Sequence, residues 1–374
     1  MKLFDVYPLF NINLVRGKGC YVYDDKNVKY LDFYGGHAVI SIGHANDYYV
    51  QQLEKQLHQL SFYSNSVHIE IQQQLADKLA QLSGYDDYNL FLCNSGAEAV
   101  ENALKTASFH NNRKKVIAFK GSFHGRTSGA VAVTDNPKIK PLINDDSHVI
   151  FLDFNNEENI QTAFSENEIC AVIIEPIQGV NGIYEPDISF LKLIQKLCND
   201  NNALFIADEI QCGYGRSGKF FAHQFANVQP DVITMAKGMG NGFPVAGILI
   251  HPKIDAKYGM LGTTFGGAPL ACAAGLAVLE VIENENLISN TIEVGNYLME
   301  QCKQVQQVKE VRGKGLMIGI EFNFPVKELR DKLIYKHHIF TGNSNNANTL
   351  RLLPSLTITK TEVDLLLKAL NASL

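Results

Sequence analysis

Six short apolar runs punctuate the middle of the chain: Val116–Phe119, Val149–Leu152, Ala171–Ile174, Leu204–Ala207, Val232–Met235 and Val245–Ile250. None alternates apolar with polar residues, as expected of strands covered by helices on both faces. Between the third and fourth runs, Phe190, Leu191, Ile194, Leu197 and Cys198 recur at helical spacing and form one apolar stripe. Strand, helix and strand in repetition predict an α/β fold on a mostly parallel sheet. Ligands of such sheets bind beyond the carboxyl ends of the strands. Three polar residues stand at those ends: Glu175, Asp208 and Lys237.

Another run, Leu90–Cys93, leads through Asn94-Ser95-Gly96-Ala97-Glu98 into a stretch with apolar positions at Ala97, Val100, Leu104 and Ala107. A strand entering a helix through Ser-Gly-Ala offers backbone N–H groups and the positive end of a helix dipole to an anion. Ser95 with Glu98 three residues on also reads as a plain capping box. Past about residue 270 the pattern changes. A helix-like stretch from Ala268 to Val281 leads into a more polar segment, where Val311–Ile320 reads as a turn and a strand. The division expected is an N-terminal arm (1–45), a large domain holding the sheet and the cofactor (46–268) and a smaller α+β C-terminal domain (269–374). No internal repeat is present.

With 374 residues the chain exceeds a single ordinary core, which agrees with two domains. A formal charge of −6 leaves no basic stripe for nucleic acid, so an anionic substrate must be caught by individually placed arginines. Cys20, Cys93, Cys170, Cys198, Cys212, Cys272 and Cys302 are scattered, with no Cys-x-x-Cys. Neither a metal site nor a disulfide framework is expected. Asp5 and Pro8 break any apolar leader, and no run approaches the roughly 20 residues of a membrane span. The expected setting is the cytoplasm.

The chemistry gathers at Asp208 and Lys237, which end neighbouring apolar runs. A buried lysine and a buried carboxylate are what pyridoxal 5'-phosphate (PLP) requires. The amine condenses with the cofactor aldehyde, and the carboxylate keeps a proton on the pyridine nitrogen so that the ring accepts electrons. Beside them, the Ser95-Gly96-Ala97 turn becomes a phosphate site. Phe123 could stack on the ring, with Ile210 on the opposite face, though taken alone it reads as ordinary core. His124 receives no role. Gly213-Tyr214-Gly215-Arg216-Ser217-Gly218 spells a dinucleotide fingerprint, but no helical stripe follows it and Asp231 begins the next run instead of ending it. That reading is rejected. Arg126 and Arg351 are suited to bind carboxylates through the guanidinium fork, and Arg126 also reads as a structural ion pair. Glu175 is grouped with them on the substrate side.

These segments resemble the class III PLP-dependent aminotransferases almost end to end. The likeness is carried by Gly36-His37-Ala38-Val39, Asn94-Ser95-Gly96-Ala97-Glu98-Ala99, Phe123-His124-Gly125-Arg126-Thr127 and Glu175-Pro176-Ile177-Gln178-Gly179. It continues through Asp208-Glu209-Ile210-Gln211-Cys212-Gly213, Lys237, Gly262-Thr263-Thr264-Phe265-Gly266-Gly267, Val311-Arg312-Gly313-Lys314-Gly315 and Leu350-Arg351-Leu352-Leu353-Pro354. The resemblance implies the aspartate-aminotransferase-like fold, type I, with sites at the interface of a homodimer. It implies that Lys237 holds PLP and shuttles the proton, that Gln211 reaches the cofactor's phenolic oxygen, and that Thr264 reaches the phosphate from the partner subunit. Within the family the likeness is strongest to enzymes acting on N-acetylornithine or N-succinylornithine with 2-oxoglutarate. Ornithine or lysine-pathway aminotransferases, and a non-catalytic PLP-binding regulator, are the alternatives. The family's usual glutamate after Gln178-Gly179 is replaced by Val180, followed by Asn181.

Overall fold

The computed structural model describes residues 1–374. Three strands open the fold: β1 (Leu14–Lys18), β2 (Tyr21–Asp24) and β3 (Lys29–Asp32). Seven more build the main sheet: β4 (Asn89–Cys93), β5 (Lys115–Phe119), β6 (Val149–Leu152), β7 (Ile169–Ile174), β8 (Leu204–Asp208), β9 (Val232–Met235) and β10 (Ala246–Ile250). Their spatial order is β4-β10-β9-β8-β7-β5-β6, and only β10 runs against its neighbours. Every residue of β7, β8 and β9 is buried, which is why these segments show no alternation.

Helices cover both faces. On one, Gly96–Asn111 buries Ala99, Val100, Ala103 and Ala107, small residues at one-turn spacing that let the helix lie close to the sheet. On the other, Ile188–Asp200 buries Phe190, Leu191, Ile194 and Cys198 beside Ile160 and Phe164 of helix Glu157–Glu166. Burying each such large side chain contributes about 1.5–3 kcal/mol.

Helix Pro269–Asn284 leads into the C-terminal part. There β11 (Val308–Lys314), β12 (Met317–Phe322), the two-residue β13 (Ile339–Phe340) and β14 (Thr349–Leu352) follow. β12 lies between β11 and β14, antiparallel to both, and sets Arg351 opposite Gly319. The stretch expected as a turn and a strand is thus a hairpin. Its first strand is mostly polar and only partly covered, so it leaves no apolar run to read.

β3 pairs in parallel with β13, joining the N-terminal strands to the C-terminal part in a four-stranded sheet. Residues ahead of β1 carry exposed Leu3, Phe4 and Leu9. No helix is long and apolar enough to cross a membrane.

Candidate active site

Asp208 is the last residue of β8, and Lys237 follows β9 by one residue. The two strands are hydrogen-bonded neighbours with Asp208 in register with Thr234, so both residues stand at one edge of the sheet. Lys237 has φ of +45°. That left-handed conformation costs an L-residue about 1–2 kcal/mol and is retained where the surroundings enforce it. Burial pushes the Lys237 amine below the ordinary lysine range, against the pull of Asp208 and Glu175, and Arg351 adds to the downward push.

Asp208 is held on three sides. Oδ1 accepts from Ile210 N–H at 3.1 Å and from the Thr234 hydroxyl at 3.0 Å. Oδ2 lies 2.6 Å from Nδ1 of His124, whose side chain is fully buried. Burial opposes charge on His124, but the hydrogen bond and charge of Asp208, with Glu175 behind it, outweigh that and raise its pKa.

Glu175, expected on the substrate side, has both oxygens engaged by backbone N–H groups. It is buried, with Oε1 accepting from Phe123 N–H at 3.0 Å and Oε2 from Gly179 N–H at 3.1 Å. Both oxygens serve to pin loops. Burial raises its pKa, His124 lowers it, and the net direction is upward.

Ser95 caps helix Gly96–Asn111, its hydroxyl accepting from Glu98 N–H at 3.3 Å. The expected capping box is only half formed. The Glu98 carboxylate turns to Asn94 instead, accepting from its backbone N–H at 2.7 Å and its side-chain amide at 2.9 Å. The first N–H groups of the helix, at Gly96 and Ala97, have no partner within it. A Cβ on Gly96 would stand 3.0 Å from Ile210 Cδ1 and 3.5 Å from Ala236 Cβ, so the turn abuts both Ile210 and the residue before Lys237. Phe123 and Ile210 are half-buried.

Gln211 donates to the His37 carbonyl at 3.2 Å and keeps a buried Oε1 without a partner. A Cβ on Gly179 would come within 1.6 Å of that oxygen, so any larger residue there would have to displace the Gln211 amide. The segment Gly35–Ala38 has φ between +55° and +66° at all four residues, a left-handed turn that includes two non-glycines. Asp32 braces it by accepting from Tyr34 and Gly35 N–H at 3.0 and 2.8 Å. Burial, then Arg351 and Lys237, push the His37 imidazole down to about 4.

Arg351 is buried in β14. Its Nε donates to the Asn343 carbonyl and its Nη1 has no partner. Burial lowers its pKa while Tyr34 and Glu175 oppose. Around the departure at position 180, the nearby polar groups are engaged elsewhere. Asn181 donates to Gln178 at 2.9 Å, and Glu185 pairs with Lys314. Arg126 and Thr264 are exposed. Arg126 follows Gly125, whose Cβ position lies 2.9 Å from Ala97 Cβ, so it borders the helix-entry turn. Residues 213–218 form turns and a bend, followed only by the one-turn 3-10 helix Ala222–Phe225 and no α-helix.

Two residues of this site were missed in sequence. His124 lies between Phe123 and Arg126, so any loop that brings Phe123 to Asp208 brings His124 too. Gly35-Gly36 before His37 signals a left-handed turn.

The buried atoms His124 Nε2, Gln211 Oε1 and Arg351 Nη1 have no partner within the chain, which leaves hydrogen-bonding capacity for a polar ligand. A helix entry with open N–H groups, and an amine and a carboxylate at the ends of adjacent strands, fit PLP in particular. Fold and site define a PLP-dependent enzyme of fold type I. The chain belongs to the class-III aminotransferases, whose family profile matches residues 5–374. It is 41% identical over 368 residues to an acetylornithine aminotransferase of Archaeoglobus fulgidus, covering 97% of this chain and 95% of that one. It is 39% identical to a [LysW]-aminoadipate semialdehyde/glutamate semialdehyde transaminase of Sulfolobus acidocaldarius, with 96% and 94% covered. Among solved structures, the ornithine aminotransferase of Toxoplasma gondii superposes with a TM-score of 0.92 at 26% identity, covering 99% of this chain and 92% of that one. The family's cofactor is PLP, and a structure of the same T. gondii enzyme holds it at partial occupancy.

Proposed function

We propose that the chain moves the side-chain (δ) amine of an N-acylated ornithine, N-acetylornithine or N-succinylornithine, to 2-oxoglutarate. The products are the N-acyl-glutamate 5-semialdehyde and glutamate, as in arginine biosynthesis. The observation that carries this reading is the set of relatives, 36–41% identical over nearly the whole chain, that bear the name acetylornithine aminotransferase.

When bound, PLP supplies an aldehyde carbon for the amine and a ring that withdraws electrons. The rest falls to the chain. Lys237, its pKa lowered by burial, would anchor the cofactor and carry the proton to and from the reacting carbon of the substrate. Asp208 accepts the hydrogen bond of the ring nitrogen. The N–H groups of Gly96 and Ala97, with Ser95, take the phosphate. Phe123 and Ile210 cover the ring faces, and Gln211 meets the ring oxygen. Arg351 and Arg126 orient substrate carboxylates.

The same reading includes a homodimer in which Thr264 reaches the phosphate bound by the partner subunit. Exposed Phe265, next to Thr264, and exposed Phe62, packed against its ring, support an interface there. The cytoplasm is the proposed setting, in keeping with seven buried free thiols.

A second reading, transfer in a lysine pathway, is favoured by the Sulfolobus relative. Mixing the PLP-loaded protein with N-acetylornithine, N-succinylornithine, ornithine and lysine-type amines, and following conversion of the cofactor to its amine form, separates the two. Fast conversion by the acylated ornithines supports the first. Conversion only by lysine-type amines or free ornithine overturns it.

A further inference from the structure

Arg216 lies within the glycine-rich turns at 213–218 and takes no part in the chemistry above. It is buried to 2% exposure, yet its Nη1 donates only to two backbone carbonyls, Leu316 at 3.2 Å and Pro354. Leu316 N–H returns a bond to the Arg216 carbonyl at 3.0 Å. Burial draws its pKa down to about 9, and Asp32 is the acid that opposes this. Holding such a charge out of water is costly, and a well-packed apolar side chain is the cheaper way to fill space. The guanidinium therefore calls for a specific account.

Its three attachments supply one. The loop carrying Arg216 begins at Asp208, the end of β8. Leu316 is the tip of the β11–β12 hairpin. Pro354 comes three residues after Arg351, just beyond β14. The packing is close: a Cβ on Gly315 would stand 2.6 Å from the Ser217 carbonyl carbon and 2.7 Å from the Arg216 oxygen. Elsewhere the 351–356 segment pairs with β12 at Arg351 and Leu352, and is held by Gly342 and Asn343 through Arg351, by Phe33 and Ser41 through Leu353 and Leu356 N–H, and by Asn290 at the Leu356 carbonyl. Those anchors belong to the N-terminal and C-terminal parts. Arg216 is the anchor that runs straight from the strand bearing Asp208.

We infer that Arg216 is a positioning residue for substrate recognition: it sets the guanidinium of Arg351 at its working distance from Lys237 by clamping the Pro354 and Leu316 carbonyls to the β8 loop. This rests on the reading of Arg351 as a carboxylate binder. The clamp acts on carboxylate binding and leaves the proton-moving groups where they are, because Lys237 and Asp208 are fixed by β8 and β9.

The test uses PLP-loaded Arg216→Met and Arg216→Lys, with Arg351→Gln as control. The readouts are KM for 2-oxoglutarate, kcat at saturation, cofactor absorbance, and the dissociation constant of glutarate, a dicarboxylate that cannot react. For Arg216→Met, KM and the glutarate constant should both rise about tenfold, with kcat within about twofold and the cofactor spectrum unchanged. Arg216→Lys should fall between Arg216→Met and wild type. If Arg351→Gln weakens glutarate but both Arg216 variants bind it as wild type does, the clamp is overturned and the role of Arg351 stands. A loss of kcat or of cofactor equal to the loss of glutarate binding also overturns it. If Arg351→Gln leaves glutarate binding intact, the reading of Arg351 fails and the clamp with it. Should Arg216→Met not fold, Arg216→Lys decides: a lowered Tm with unchanged glutarate binding overturns the inference.

Discussion

His124 Nδ1 and Asp208 Oδ2 are 2.6 Å apart, both side chains out of contact with water. With Ile210 N–H and Thr234 Oγ1 on its other oxygen, Asp208 has its orientation set by three donors. Removing the imidazole leaves a buried carboxylate short of a partner, a loss of about 1–3 kcal/mol. His124→Ala should lower the half-reaction rate by roughly 5- to 100-fold. His124→Asn, which keeps a donor, should recover part of it. Stopped-flow absorbance measures both, and a wild-type rate in His124→Ala would mean that Asp208 needs no such support.

If one amine both anchors the cofactor and moves the proton, as proposed, Lys237→Ala should abolish turnover while phosphate and ring contacts still retain cofactor. Borohydride reduction of the wild type followed by peptide mapping should find the label on Lys237. Label on another lysine refutes the assignment.

Thr264→Val should weaken cofactor retention. Mixed with Lys237→Ala subunits, it should restore about one intact site per mixed dimer, as two defects falling in the same site require. No recovery despite verified subunit exchange would place Thr264 in its own subunit's site.

Glu175 carries a pH signature. Burial raises its folded pKa above the unfolded value, so its stabilising contribution is complete below about pH 4 and fades as pH rises through the folded value. Glu175→Gln abolishes that titration and gives up one of two backbone acceptors, at a cost of about 1–3 kcal/mol. The Tm gap between wild type and variant should be widest in acid and narrow toward pH 8. A gap that widens with pH would mean that the folded protein holds the carboxylate ionised.

With Val180 in place of an acid, and with Asn181 and Glu185 otherwise engaged, Nη1 of Arg351 has no internal partner, which under the proposed function leaves it for a substrate carboxylate. Val180→Glu should raise the KM for 2-oxoglutarate and improve the use of free ornithine relative to the acylated forms, because a new internal partner competes for the guanidinium. An unchanged ranking of kcat/KM would remove position 180 from specificity.

The main sheet was legible because β7, β8 and β9 are covered on both faces and so leave uninterrupted apolar runs. The same burial marked Asp208 and Lys237, polar residues where apolar ones were due. β11 was not legible: a half-covered strand of Val-Lys-Glu-Val-Arg-Gly-Lys has no periodicity to report. The backbone contacts of Glu175 were not legible, because a strand-end carboxylate carries no sign of which N–H groups will claim it. His37 and His124 escaped because their roles depend on partners 174 and 84 residues away, His37 through its backbone carbonyl and His124 through its side chain.

The pairing of β3 with β13 sets a schedule for the chain on the ribosome. Lys29–Asp32 emerge early, but Ile339–Phe340, which complete their sheet, lie roughly 300 residues later, or roughly 15–60 s at ordinary rates of synthesis. During that interval the main sheet, whose strands end at Ile250, is free to form without them. The opening strands have their own hairpin but no covered edge, and that edge is open to other nascent chains. Crowded polysomes and fast overexpression should therefore threaten the yield of this protein through its first 45 residues, well away from the cofactor sheet.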